Sequence, residues 1–212
     1  MIVLVVAAHG DDETLGAGGV MARHVRSGDT VHALILSRGG TSRNGVDLSL
    51  IDKIHESTLN AAKIIGFIPR WENFPDQLFD TVSQLEINKT VERHIKEINP
   101  NIIYTHHNDL NLDHRITHDA VVVATRTKRI NVHCFEVPSS TELSETPFMP
   151  NYWVDITSTL DLKKRACLCY NSEMRESPHA RSLEYIEALA TIRGGQANVK
   201  YAEAFSTVKR LG

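Results

Sequence analysis

Five consecutive residues, His9-Gly10-Asp11-Asp12-Glu13, set four metal-binding or proton-transferring side chains directly after the apolar run 2–8. Carboxylates beside a buried strand are costly unless their charge is compensated, and a bound cation is the simplest compensation. A second polar cluster, His106-His107-Asn108-Asp109-Leu110-Asn111-Leu112-Asp113-His114-Arg115, follows another strand-like run. Catalytic zinc usually takes three His, Asp or Glu ligands and keeps an open position for water. His9, Asp12 and His114 supply such a set: two neutral imidazoles and one carboxylate. A metal there lowers the pKa of bound water towards about 7, and Asp11 beside it is placed to act as general base. Asp113 can orient a ligand as a hydrogen-bond acceptor. The plainer alternative makes Asp11, Asp12 and Glu13 caps of a helix starting near Thr14, and Asp113 the cap of a later one. It explains the acids singly, but not two His–Asp clusters at two strand ends.

Those clusters need elements that hold them together. Residues 2–8 and 30–37 read as buried strands, with a helix over about 14–27 between them that stops at Ser27-Gly28-Asp29. Helical patterns over about 49–65 and 84–98 follow, then a strand over 101–105 that delivers His106 and His107. A helix over 114–128, a strand over 131–137, a surface loop at 138–150, a last strand over 152–156 and helices over 159–171 and 182–193 complete the pattern. This alternation predicts one α/β domain over residues 1–212 with a mostly parallel sheet. Ligands of such sheets bind beyond the carboxyl ends of the strands, where both clusters would meet.

Composition narrows the function classes. The 212 residues carry a net charge of -3, 42% hydrophobic and 23% charged side chains, which argues against nucleic acid as a partner and against a polybasic membrane patch. No apolar run reaches the roughly 20 residues of a membrane span, and with no basic n-region before the strand-like run a secretory signal is not expected. Cys134, Cys167 and Cys169 are an odd set without a disulfide framework, read as small buried side chains, so a cytoplasmic location is expected. Glycines 10, 16, 18 and 19 lack the spacing of a dinucleotide fingerprint, and acids fill the turn where a pyrophosphate would sit. Gly16, Gly18 and Gly19 are instead expected to permit close helix–sheet packing.

Ala8-His9-Gly10-Asp11-Asp12-Glu13 resembles the A-H-P-D-D-E signature of the LmbE-like, or PIG-L, family of metal-dependent N-acetyl-sugar deacetylases. Asn111-Leu112-Asp113-His114-Arg115 matches its second signature, ending in Asp-His-Arg, and Pro178-His179-Ala180-Arg181-Ser182 and Tyr201-Ala202-Glu203-Ala204-Phe205 look like late family segments. The resemblance implies a Rossmann-like three-layer fold and hydrolysis of an N-acetyl group from an amino sugar or sugar conjugate. It implies Zn2+, or another divalent metal, on His9, Asp12 and His114, with Asp11 as base and Glu13 supporting the shell or the helix start. It also allows a homo-oligomer.

Two positions depart from the family. Gly10 replaces a proline, relaxing the turn. Asn111 stands where many members carry a histidine that stabilises the oxyanion; an asparagine can donate a hydrogen bond but carries no proton. Either Asp11 then serves as both base and acid, or His179 or His107 supplies the second function. Arg43, Lys53, Arg115 and Arg181 are candidates for phosphate or carboxylate groups of a substrate, and Glu56 and Asp76 for lining the site. Trp71 and Phe74 are expected in the core, with stacking on a sugar ring as the alternative. The rival functions are hydrolysis of another amide or ester at the same site, and non-catalytic metal or sugar binding.

Overall fold

The computed structural model describes residues 1–37, 39 and 48–212. Strand β1 (Ile2–Ala7) leads into helix α1 (Asp12–Arg26), followed by β2 (Thr30–Ser37), α2 (Leu48–Ile65) and β3 (Ile68–Phe74). Next come α3 (Gln84–Ile98), β4 (Ile102–His106), α4 (Leu112–Thr125) and β5 (Asn131–Phe135). The chain continues through β6 (Tyr152–Asp155), α5 (Leu160–Cys167), α6 (Leu183–Ala197) and β7 (Ala202–Lys209). The strands form one sheet in the order β3-β2-β1-β4-β5-β7-β6. The first five in that order are mutually parallel, and β7 runs antiparallel to both β5 and β6.

Alternation along β1 builds three layers. Val3 and Val5 face one side, packing with Leu15, Val20 and Met21 of α1, Ala61 and Ile65 of α2, and Ala166 of α5. Leu4 and Val6 face the other, with Ile87, Val91 and Ile95 of α3 and Ala120 and Val121 of α4. A strand buried on both faces reads as a continuous apolar run, which is why β1 was visible in the sequence.

Two strands escape the sequence pattern. β3, Ile-Pro-Arg-Trp-Glu-Asn-Phe, is an edge strand, so it tolerates Pro69 and polar residues. The run at 152–156 is not the last strand: β7 follows it and inserts between β5 and β6. Gly16 packs where a Cβ would stand 2.2 Å from the Phe135 ring of β5, and at Gly19 it would stand 2.8 Å from Ile156. Gly16 bears out the expected close helix–sheet packing; Gly19 meets a residue just past β6, and a Cβ at Gly18 would stand 3.2 Å from Lys163 of α5, so that glycine serves helix–helix packing instead.

Candidate metal centre

β1 and β4 are neighbours in the sheet, so the chain segments that follow them emerge side by side. After β1 the backbone turns sharply at Asp11, with φ 116°, a conformation unusual for a residue with a side chain. Asp11 O then accepts from Thr14 N (3.0 Å) and Leu15 N (2.8 Å), starting α1 two residues before Thr14. Buried Glu13 secures this turn: its carboxylate accepts from Asp11 N at 3.0 Å, the Thr14 hydroxyl at 2.8 Å and the Tyr170 hydroxyl at 2.5 Å. Gly10 does not take a φ reserved for glycine. What it lacks is a Cβ, which would stand 2.9 Å from Ile54 Cγ2 and 3.1 Å from Thr58 Oγ1 of α2.

After β4, Asn111 caps α4: its Oδ1 accepts from Asp113 N (2.9 Å) and His114 N (3.4 Å). The cap is therefore Asn111 rather than Asp113, whose carboxylate accepts instead from Gln77 N (2.7 Å), Phe79 N (3.1 Å) and His9 Nε2 (3.0 Å).

Among the described residues, three groups lie close enough to hold a metal: His9–Asp12–His114, His106–Asp109–His114 and His9–Asp76–Asp113. Hydrogen bonding separates them. Asp113 can only accept, so a neutral His9 carries its proton on Nε2 and leaves the Nδ1 lone pair free, 3.2 Å from Asp12 Oδ2. Asp109 accepts from His114 Nδ1 at 3.0 Å, leaving Nε2 free, also 3.2 Å from Asp12 Oδ2. Asp12 Oδ1 is buried without a hydrogen-bond partner, a costly state that ligation relieves. These three residues fit a divalent cation. In the second group, His106 Nε2 already accepts from Ala8 N (2.9 Å), while Asp109 is engaged by His114, Asn111 N and the Thr141 hydroxyl. In the third, Asp113 is engaged by three donors, and His9 would have to offer the nitrogen that bonds to it.

In the metal-free protein Asp12 and the two imidazoles hold one another charged. Burial alone would lower the pKa of His9, but hydrogen bonds to Asp113 and Asp12 raise it to about 10. His114 behaves alike: burial is outweighed by the charge of Asp12 and the bond to Asp109, giving about 9. Asp12, despite its burial, is held well below the carboxylate range by the adjoining imidazoles. His106 moves the other way, lowered by burial and by His114, as befits a ring that accepts from a backbone N–H. Burial lifts Asp11 to about 8 against the opposing pull of Arg181.

A cleft of about 320 Å3 opens above these groups and is lined by His9, Asp11, Asp76, Gln77, Asn111, His114, Glu173, Arg175, His179 and Arg181, among others. Arg181 is no free substrate anchor: its Nη1 donates to Asp11 Oδ2 (2.8 Å) and Glu173 (3.3 Å), and its Nε to Ser139 Oγ (3.0 Å). His179 is exposed in the cleft, with Nδ1 accepting from Arg181 N at 3.0 Å.

Several sequence candidates lie elsewhere. His107 is not among the cleft residues, because strand alternation turns its ring away from His106 and edge-on to Phe148 at 5.2 Å. Arg115, one position past His114 on α4, points to the exposed side of the helix, and Lys53 and Glu56 are exposed on α2. Trp71 lies against His55 with ring centroids 4.2 Å apart and Phe74 packs on Phe79 at 5.8 Å, so neither lines the cleft. Arg43 lies outside the described residues. The cysteines take no part: burial pushes the Cys134 and Cys167 thiols up to about 12. Sequence reasoning missed Asp109, Gln77 and Tyr170. Only Asp109, five residues before His114, offered a local signal.

A mostly parallel α/β sheet with a His–Asp cluster at the carboxyl ends of two adjacent strands is the class this molecule belongs to. Residues 4–125 match the family model PIG-L, described as GlcNAc-PI de-N-acetylase, and the chain belongs to that family. Over 175 residues it is 32% identical to YaiS of Escherichia coli (strain K12), an uncharacterized deacetylase; the match covers 78% of this chain and 88% of YaiS. Two solved structures share the fold at low identity. GalB, the 4-carboxy-2-hydroxymuconate hydratase of Pseudomonas putida KT2440, has a TM-score of 0.81 at 24% identity, covering 100% of this chain and 97% of GalB. The N,N'-diacetylchitobiose deacetylase of Pyrococcus horikoshii has a TM-score of 0.81 at 18% identity, covering 98% of this chain and 83% of that enzyme. The same fold thus carries a hydratase as well as deacetylases, and the site must decide the chemistry.

Proposed function

We propose that residues 1–212 act as one metal-dependent deacetylase domain that removes the N-acetyl group from an amino sugar or sugar conjugate. The observation that carries this reading is the convergence of His9 Nδ1 and His114 Nε2 on Asp12, with a second carboxylate, Asp11, beside it in an open cleft. Zn2+ or another divalent ion held by His9, Asp12 and His114 would acidify a water molecule and polarise the acetamide carbonyl. Asp113 and Asp109 fix the two imidazoles in the tautomers that binding needs.

Asp11 takes the proton from the attacking water as the new C–O bond forms. Its carboxyl, buried beside the Arg181 guanidinium at 2.8 Å, is placed both to accept a proton and to return it. The C–N bond then breaks as the amine nitrogen gains a proton, releasing acetate and the free amino sugar. Asp11 is the first candidate for that proton delivery. His179 is the second, since it shares the cleft and His107 does not. Asn111 offers its amide N–H to the oxygen that gains charge.

Membership of a deacetylase family and likeness to YaiS favour amide hydrolysis over hydration. The test is release of acetate and free amine from a panel of N-acetylated sugars and sugar nucleotides, with and without chelator. Activity that disappears with chelator and returns with zinc is expected. Activity indifferent to chelator, or none across the panel, would contradict the proposal.

A further inference from the structure

Asn111 lines the cleft, and its side chain has a fixed orientation. Oδ1 is engaged by the first backbone N–H groups of α4, so Nδ2 must face away from the helix, towards the cleft it lines. There it donates to Gln77 Oε1 at 3.4 Å, a long bond that orients more than it stabilises. Gln77 sits in a left-handed conformation, φ 57°, rare for a residue with a side chain. Its backbone N–H is held by Asp113 Oδ2 at 2.7 Å, the same oxygen that bonds His9.

With Oε1 turned to Asn111, the Gln77 amide group presents its N–H bonds to the cleft. Its nitrogen stands 3.3 Å from His9 Nε2 and 3.5 Å from Asp76 Oδ1. The first contact is no hydrogen bond when His9 carries its proton on Nε2, because both atoms are then donors. The second, a long bond to Asp76, takes one amide hydrogen, so the other remains for a ligand.

The geometry points to Gln77 and Asn111 as a paired carboxamide clamp that binds one oxygen of the substrate's acyl group. The inference rests on the deacetylase reading and deepens it, assigning Gln77 as a catalytic residue. A neutral pair stabilises charge without moving protons, so proton traffic stays with Asp11 or His179. Two neutral donors at one oxygen would share the stabilisation of the charge that develops there.

The test compares zinc-loaded wild type with Gln77→Met, which keeps bulk and deletes the donor, and Asn111→Ser, which keeps a helix cap. Acetate, the expected product, is the binding probe, titrated by calorimetry; kcat and KM are measured beside zinc content and thermal midpoint. Each variant should weaken acetate binding about tenfold and lower kcat on the order of 100-fold, with KM, zinc content and midpoint little changed. Gln77→Met with wild-type acetate affinity and kcat would overturn the clamp even if deacetylation proceeds. If no substrate is deacetylated but both variants still weaken acetate binding, the clamp stands and the deacetylase reading fails.

Discussion

Asp12 is the residue on which the centre closes. One of its oxygens stands 3.2 Å from His9 Nδ1 and from His114 Nε2, and the other is buried without a partner. His9, Asp12 and His114 were legible as candidate ligands because a His and acids at the end of an apolar run are chemically conspicuous. Among their supports Asp113, next to His114, was legible too. Asp109 differs from other acids only in where the fold brings it, and Gln77 carries no charge to betray it. The raised pKa values make a prediction. With His9 at about 10 and His114 at about 9, both rings are protonated in the metal-free protein at neutral pH, whereas ligation needs them neutral. Zinc binding at pH 7 should release about two protons, and affinity should rise as pH climbs towards 9. Calorimetry in buffers of differing ionisation enthalpy measures this, and a binding heat independent of buffer would contradict it. Stability has the opposite sign. The metal-free protein should lose the two histidines' contribution as pH rises from about 6.5, the unfolded value, through 9 to 10.

Helix α1 presents Asp12, and its seat on the sheet depends on what its glycines lack. The expectation of close packing at Gly16 and Gly19 came from the sequence; the partners, Phe135 and Ile156, came only with the fold. Gly16→Ala would force a methyl against the Phe135 ring and should destabilise the protein by about 1–3 kcal/mol in denaturant unfolding. Because α1 must then shift, zinc affinity should fall with it; unchanged stability and affinity would show that the helix has room. The inner strands were legible from their apolar runs. β3 and β7 were not: one is a polar edge strand, and the other enters the sheet antiparallel between β5 and β6, which breaks the βα rhythm. Helix ends shifted for local reasons, such as the turn at Asp11 that starts α1 at Asp12.

At the scale of the molecule, the sheet gathers segments distant in sequence around one cleft. β1 and β4 bring the His–Asp clusters together, and the loop after α5 adds Glu173, His179 and Arg181. Arg181 ties that loop to the turn after β1 and to the loop after β5 through Asp11 and Ser139. No helix among the described residues is long and apolar enough to cross a membrane. Since the fold also houses a hydratase, the central proposal is chemical: His9, Asp12 and His114 would hold the metal while Asp11 would move the proton. Asp11→Asn tests it most directly, through zinc stoichiometry by elemental analysis and acetate release from the substrate the wild type accepts. The account predicts full zinc content with acetate release lowered at least about 1,000-fold, in the upper part of the usual contribution of general acid–base catalysis because the same group would also return the proton. Undiminished acetate release from the zinc-loaded Asp11→Asn protein would contradict it.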